Sequence, residues 1–161
     1  MNFSVRNGFA LIAVSAFGLV AFGLVIQEIY KLHPCPLCIF QRLLYIVIGL
    51  LALVAVAFPA ARKVWGAALI LISAGGLATA TYQSWLQQAQ DASKECGYGE
   101  PNLIEQLVDW LGMQWSDMFM ATGFCSSKEW VFLQLSIANW SIVCFAAYLA
   151  FALWLALRRL G

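Results

Sequence analysis

The chain has 161 residues, 63% of them hydrophobic and 11% charged, with a formal net charge of +1. Soluble domains keep roughly a quarter of their residues charged, so a water-soluble globule is excluded. A balance this close to neutral also gives no reason to expect a nucleic-acid partner.

The apolar residues fall into blocks, and four are long enough to cross a hydrocarbon core of about 30 Å, which takes roughly 20 helical residues. The first, Gly8–Tyr30, exceeds the h-region of a signal peptide, roughly 7–15 residues. It ends in Gln27-Glu28-Ile29-Tyr30, which offers no small-x-small cleavage site, so it is read as an uncleaved signal anchor. The second and third are Ile39–Phe58 and Val64–Trp85, joined by a tight turn at Pro59. The fourth is Ala138–Leu157. Backbone groups in lipid must bond to one another within the segment, so each block is a helix. The expected fold is all-α: an integral membrane four-helix bundle in one domain over 1–161, with outer loops at about 31–38 and 86–137. Trp65, Trp85, Trp140 and Trp154 fall near span ends, as interfacial anchors do.

Charge sets the orientation. Arg6, the pair Arg62 and Lys63, and Arg158 and Arg159 lie in stretches without acids. The positive-inside rule makes these stretches cytoplasmic. The outer side then receives Lys31, Lys94, Lys128 and every acidic residue. It also receives four of the five cysteines: Cys35, Cys38, Cys96 and Cys125. Disulfides form and persist in that kind of compartment. Cys144, inside the fourth span, is read as a small buried hydrophobe without chemistry.

The first outer loop leads straight into the second span through His33-Pro34-Cys35-Pro36-Leu37-Cys38. Proline is tolerated in a first helical turn, which places Cys35 near the N-cap and Cys38 within the first turn. A CxxC pair opens and closes with little backbone movement, and helix N-terminal N–H groups favour the attacking thiolate. The bland alternative is an inert bridge capping the helix. Arg42 follows Cys38 by four residues, on the same helical face. A guanidinium there either snorkels to the surface or meets a polar or anionic partner. In the functional reading it supports a Cys38 thiolate and polarises a carbonyl oxygen of an electron acceptor. His33 is read as a solvated loop residue, and Gln41 as a candidate head-group donor.

The second outer loop is far longer than an ordinary connection, and such loops are usually functional. Leu103, Ile104, Leu107, Val108 and Leu111 recur there at helical spacing opposite Glu105, Gln106 and Asp109. That pattern predicts an amphipathic helix, lying on the bilayer surface or packed on the bundle ends. Cys96, beside Gly97 and Gly99, would ride on a mobile arm. Cys96 and Cys125 are spaced so that a bridge between them would close the loop as a staple. A second thiol pair on the same face turns the reading toward exchange between pairs.

With Pro34-Cys35-Pro36-Leu37-Cys38-Ile39-Phe40-Gln41-Arg42 opening the second span, Ala121-Thr122-Gly123-Phe124-Cys125 late in the long loop, and Cys96 near its start, the chain resembles the bacterial disulfide bond formation protein B (DsbB) family. The resemblance covers nearly the full length. It implies a thiol oxidase of the bacterial inner membrane with periplasmic loops and cytoplasmic termini. In that pattern Cys96 forms the mixed disulfide with a soluble thioredoxin-fold oxidase of the DsbA kind. Electrons pass from Cys96–Cys125 to Cys35–Cys38, and from Cys38 to ubiquinone or menaquinone beside Arg42. No metal is implied. Two departures stand out: Gln41 replaces an acid that some relatives carry before the arginine, and the third span and its exit hold no histidine. Tyr82, Gln83 and Ser84 are left to supply polar contacts there. Three rival readings are a purely structural membrane module with two inert disulfides, a metal protein using all four loop cysteines, and a vitamin K epoxide reductase-like enzyme. The last has its CxxC after the loop cysteines rather than before them.

Overall fold

The computed structural model describes residues 5–89, 101–128 and 130–157. Four helices in it are long and apolar enough to cross a membrane: α1 (Val5–Tyr30), α2 (Pro36–Ala57), α3 (Arg62–Ala89) and α6 (Ile137–Leu157). A single 3₁₀ turn, Pro59–Ala61, joins α2 to α3. The long loop contributes α4 (Leu103–Gln114), the single turn α5 (Ser116–Phe119), and a small antiparallel hairpin of β1 (Val131–Phe132) and β2 (Leu135–Ser136). The protein is an all-α, four-helix membrane bundle.

The observed helices overrun the expected apolar blocks at several ends. α2 starts at Pro36 instead of Ile39, because Cys35 caps it and Pro36 takes the first helical position. α3 continues past Trp85 to Ala89, since Gln87 there has partners that keep the helix wound. Hydropathy detects the apolar stretch, whereas backbone bonding continues until a cap or a proline stops it.

Extensive contacts join α1 to α2, α2 to α3 and α3 to α6. The core between them holds Phe9, Ile12, Tyr45, Ile48, Leu69 and Phe145. Close approach depends on glycine at two points. A Cβ at Gly76 would lie 2.3 Å from the Phe145 ring, and one at Gly49 would lie 2.8 Å from Phe17. Small residues at such crossings are how membrane helices gain van der Waals contact where lipid offers no hydrophobic drive. The room at Gly76 lets Phe145 stack on Tyr45 with centroids 4.3 Å apart and rings 4° from parallel. Tyr148 donates its hydroxyl to Ser15 Oγ at 3.0 Å, tying α6 to α1. Leu11, Val14, Leu71 and Val143 point outward, as lipid-facing residues must.

The amphipathic helix predicted in the loop is α4, with its polar side redrawn. Asn102 caps it, accepting from Ile104 N–H at 2.9 Å and Glu105 N–H at 3.0 Å, while Glu105 accepts from Asn102 N–H at 2.9 Å. This reciprocal box buries Glu105, which the spacing had put on the solvated face. Ile104, Val108 and Leu111 pack against Ile39 and Phe119, so α4 docks on the N-terminal end of α2. Leu103, Leu107, Trp110 and Met113 face away from the bundle.

Candidate active site

The start of α2 builds the centre. Cys35 takes the N-cap position with extended backbone, and its sulfur accepts the Cys38 N–H at 3.4 Å. One turn of helix brings the two sulfurs to 3.1 Å, with the Cys35 S–H donating to Cys38 Sγ. Cys125 reaches the same place from the long loop. Cys35, Cys38 and Cys125 share one small apolar cluster with Leu37, Leu86 and Ile104, and Cys125 is completely buried. Cys35 is hydrogen-bonded to both other thiols. Cys96 lies outside the described residues, as does the arm that was expected to carry it.

Burial pushes the Cys35 thiol well above its ordinary range, and its hydrogen bonds to Cys125 and then Cys38 add to the rise. The helix N-terminus was expected to favour a thiolate in this motif. At Cys35 desolvation outweighs it, because its sulfur is shut away from water. Donors converge instead on Cys38 Sγ: the Cys35 S–H, and the Gln83 Nε2–H at 2.9 Å.

Gln83 was named from sequence only as one of three polar residues near the exit of the third span. The structure makes it central. It is 2% exposed, its Nε2 also lies 3.3 Å from Cys35 Sγ, and its Oε1 accepts from Gln41 Nε2 at 2.7 Å. Gln41 therefore orients the Gln83 amide so that its N–H groups face the sulfurs. The available signal was a pair of amides inside apolar helices, since buried amides require partners.

Arg42 resolves its two alternatives in favour of polar partners. One guanidinium nitrogen donates to Gln27 Oε1 at 2.6 Å and another to the Met118 carbonyl. Gln27 had been read only as part of a non-cleavage sequence. A guanidinium has five N–H donors, so these bonds hold the side chain while leaving donors over. Cys38, Gln41, Arg42, Tyr45 and Gln83 line one mostly apolar cavity of about 400 Å³ between α1, α2, α3 and α6. His33 and Lys128 stand at its loop end, and Cys144 also reaches its wall.

Backbone contacts hold the two cysteine-bearing loops together. Thr122 N–H and Gly123 N–H both donate to the Pro34 carbonyl, at 2.9 and 3.1 Å. A Cβ on Gly123 would fall 1.9 Å from the His33 carbonyl oxygen. On the other side of Cys125, Gln87 Nε2 donates to the Ser127 carbonyl at 3.0 Å and Gln87 Oε1 accepts from Ser136 at 2.6 Å. Among the described residues no group of three or more His, Cys, Asp or Glu side chains is placed to hold a metal ion.

The family model for disulfide bond formation protein DsbB matches residues 5–155. The chain belongs to the DsbB family. A disulfide bond formation protein B of Dechloromonas aromatica (strain RCB) is 48% identical over 155 residues, covering 96% of this chain and 94% of the relative. Proteins of the same description from Azoarcus sp. (strain BH72) and Nitrosomonas europaea (strain ATCC 19718) are 38% and 40% identical, over 92% and 89% of this chain and 91% and 88% of the relatives. A DsbB-family membrane protein of disulfide bond formation therefore carries the three-thiol cluster described above.

Proposed function

We propose that this protein reoxidises a soluble thioredoxin-fold dithiol protein on the outer side of the bacterial inner membrane and delivers the electrons to a membrane quinone. The observation that carries the reading is Cys35, in contact with Cys125 on one side and on the other with Cys38, which lies at the wall of an apolar cavity. Such a sulfur can bond to either neighbour, which is what a relay between two disulfides requires.

The chain's own steps follow from thiolate–disulfide exchange. The partner's thiolate attacks the Cys96–Cys125 disulfide at Cys96 and releases Cys125 as a thiolate. Cys125 attacks Cys35, forms the Cys35–Cys125 bond and breaks Cys35–Cys38, so the leaving electron pair rests on Cys38. Gln83 N–H and the first-turn N–H dipoles of α2 stand where that charge arrives. Resolution of the mixed disulfide by the partner's second thiol leaves the partner oxidised and this chain reduced by two electrons. The proton released from each partner thiol balances the two protons that an acceptor takes up.

The cavity suits a quinone. Its volume lies within the usual range for small-molecule sites, roughly 300–1,000 Å³, and its lining is mostly apolar, interrupted by Arg42, His33, Lys128 and several amides and hydroxyls. When bound, a quinone, ubiquinone or menaquinone, supplies a lipid-soluble two-electron, two-proton sink. Arg42, held by Gln27 and Met118, would present its remaining donors to a carbonyl oxygen, and Cys38 would face the ring.

The test is turnover of the reconstituted protein with a reduced thioredoxin-fold dithiol and a short-chain quinone, following quinol by absorbance. Cys35→Ser and Cys38→Ser should each abolish quinol formation, and Cys96→Ser should abolish the mixed disulfide. Wild-type protein that oxidises no dithiol in the presence of either quinone class would refute the reading.

A further inference from the structure

The hairpin between the site and α6 has a composition that water does not explain. Its turn is Leu133-Gln134, with φ of 51° and 64°. Two-residue hairpin turns call for positive φ, normally supplied by asparagine, aspartate or glycine. Leucine and glutamine take that conformation at a steric cost, because Cβ crowds the following carbonyl. The hairpin leaves apolar side chains exposed: Val131 and Phe132 are each 52% exposed and Leu133 is 71% exposed. Strands of two residues do not stabilise a hairpin in water without packing.

The hairpin is also fixed to a membrane helix. β2 runs without a break into α6. Trp140, in the first turn of α6, donates its indole N–H to the Phe132 carbonyl at 3.2 Å. The Phe132 ring stacks on Trp130 with centroids 5.8 Å apart and lies 6.2 Å from Trp140. The depth of the hairpin is therefore set by the depth at which α6 leaves the bilayer, and two tryptophans mark that level. Tryptophan favours the headgroup zone.

We propose that the 130–136 hairpin is a lipid anchor, with Val131 and Leu133 seated at the headgroup–acyl boundary beside the outer end of α6. Its apolar surface continues the lipid-facing surface of that helix. Trp130 and Phe132 also line the cavity, so the anchored hairpin forms part of the wall at the cavity's loop end. The anchor stands whether or not a quinone is the acceptor.

Photo-crosslinking tests it in the full-length protein. A benzophenone amino acid replaces Leu133, and in a second variant Val131, with the protein reconstituted in phosphatidylcholine–phosphatidylglycerol vesicles. Matched probes replace Leu71, which points outward from α3, and Asp117, exposed on the loop. After irradiation, intact-mass measurement should show phospholipid adducts at 133 and 131 within about threefold of the Leu71 yield and about tenfold above Asp117. Yields at both hairpin positions as low as at Asp117, with Leu71 labelled, would overturn the proposal. So would adducts to an added soluble dithiol protein that replace the lipid adducts.

Discussion

Cys38 Sγ receives the Gln83 amide at 2.9 Å, and Gln83 is in turn held by Gln41 at 2.7 Å. Replacing Gln83 with leucine keeps the volume, removes the donor and leaves the Gln41 amide without its acceptor. Leaving a buried polar group unsatisfied costs roughly 1–3 kcal/mol. A charge on Cys38 that loses a hydrogen bond of about 1.4 kcal/mol slows its formation about tenfold. Gln83→Leu is therefore expected to slow quinol formation about tenfold while Cys35–Cys125 still bridges, as stopped-flow absorbance and non-reducing peptide mapping would show. Unchanged quinol kinetics would remove Gln83 from the site. Cys35 gives a pH prediction with a defined sign. Its native thiol is held above the ordinary range by burial, whereas in the unfolded chain it ionises near 8.5. Below that pH both states are protonated and nothing changes. Above it the unfolded state binds fewer protons than the native state, so stability falls with rising pH, by up to about 1.4 kcal/mol per pH unit. In excess phosphine reductant, melting between pH 7 and 9.5 should therefore drop more steeply for wild type than for Cys35→Ala. Parallel slopes would mean that Cys35 is not desolvated in the reduced protein.

At the scale of elements, the decisive contact is between the two cysteine-bearing loops. Pro34 O accepts from Thr122 and Gly123, and Gly123 has no room for a side chain against His33 O. That spatial constraint places Cys125 beside Cys35. Misplacing a reacting group by about 1 Å can cost on the order of 100-fold. Gly123→Ala should thus slow oxidative bridging of Cys35 to Cys125 by roughly 10- to 100-fold, measured in a Cys38→Ser, Cys96→Ser background with diamide. The Cys35–Cys38 bridge, made within one helical turn, should form at its wild-type rate in Cys125→Ser protein carrying the same change. Equal bridging with and without the extra methyl would show that the clamp does not control the meeting of the loops. None of this contact was legible in the sequence, because Gly123 and Pro34 sit in different loops and nothing local connects them. The cap at Cys35 and the first-turn place of Cys38 were legible, since Pro36 and the CxxC spacing act within one turn. α4 shows the middle case. Its periodicity announced a helix, but the capping box that buries Glu105 needed Asn102, which the hydrophobic pattern does not weigh.

Across the whole molecule, the four membrane helices were legible because lipid leaves the backbone no alternative to self-bonding. Their mutual packing was not, because each helix is apolar on every side and no stripe marks the buried face. Gly76 against Phe145, Gln27 against Arg42 and Gln41 against Gln83 are contacts between helices that only the fold reveals. The relay requires one further global property, the side of the membrane on which the thiols lie. Arg6, Arg62 and Lys63 lie at the end of the bundle away from the cysteine loops, and Arg158 and Arg159 follow the last span in the sequence. Each positive charge near a span end resists translocation, so five on one side bias insertion strongly. Alkaline phosphatase folds only outside the cytoplasm, and green fluorescent protein exported in an unfolded state fluoresces only inside. Fused after Gly161, phosphatase should be inactive and the fluorescent protein bright, whereas fused after Ser127, with the fourth span removed, the two should reverse. Phosphatase activity at the C terminus would put the three-thiol cluster in the reducing compartment. There Cys35 would stay a thiol, and no outward-facing partner could be oxidised through it.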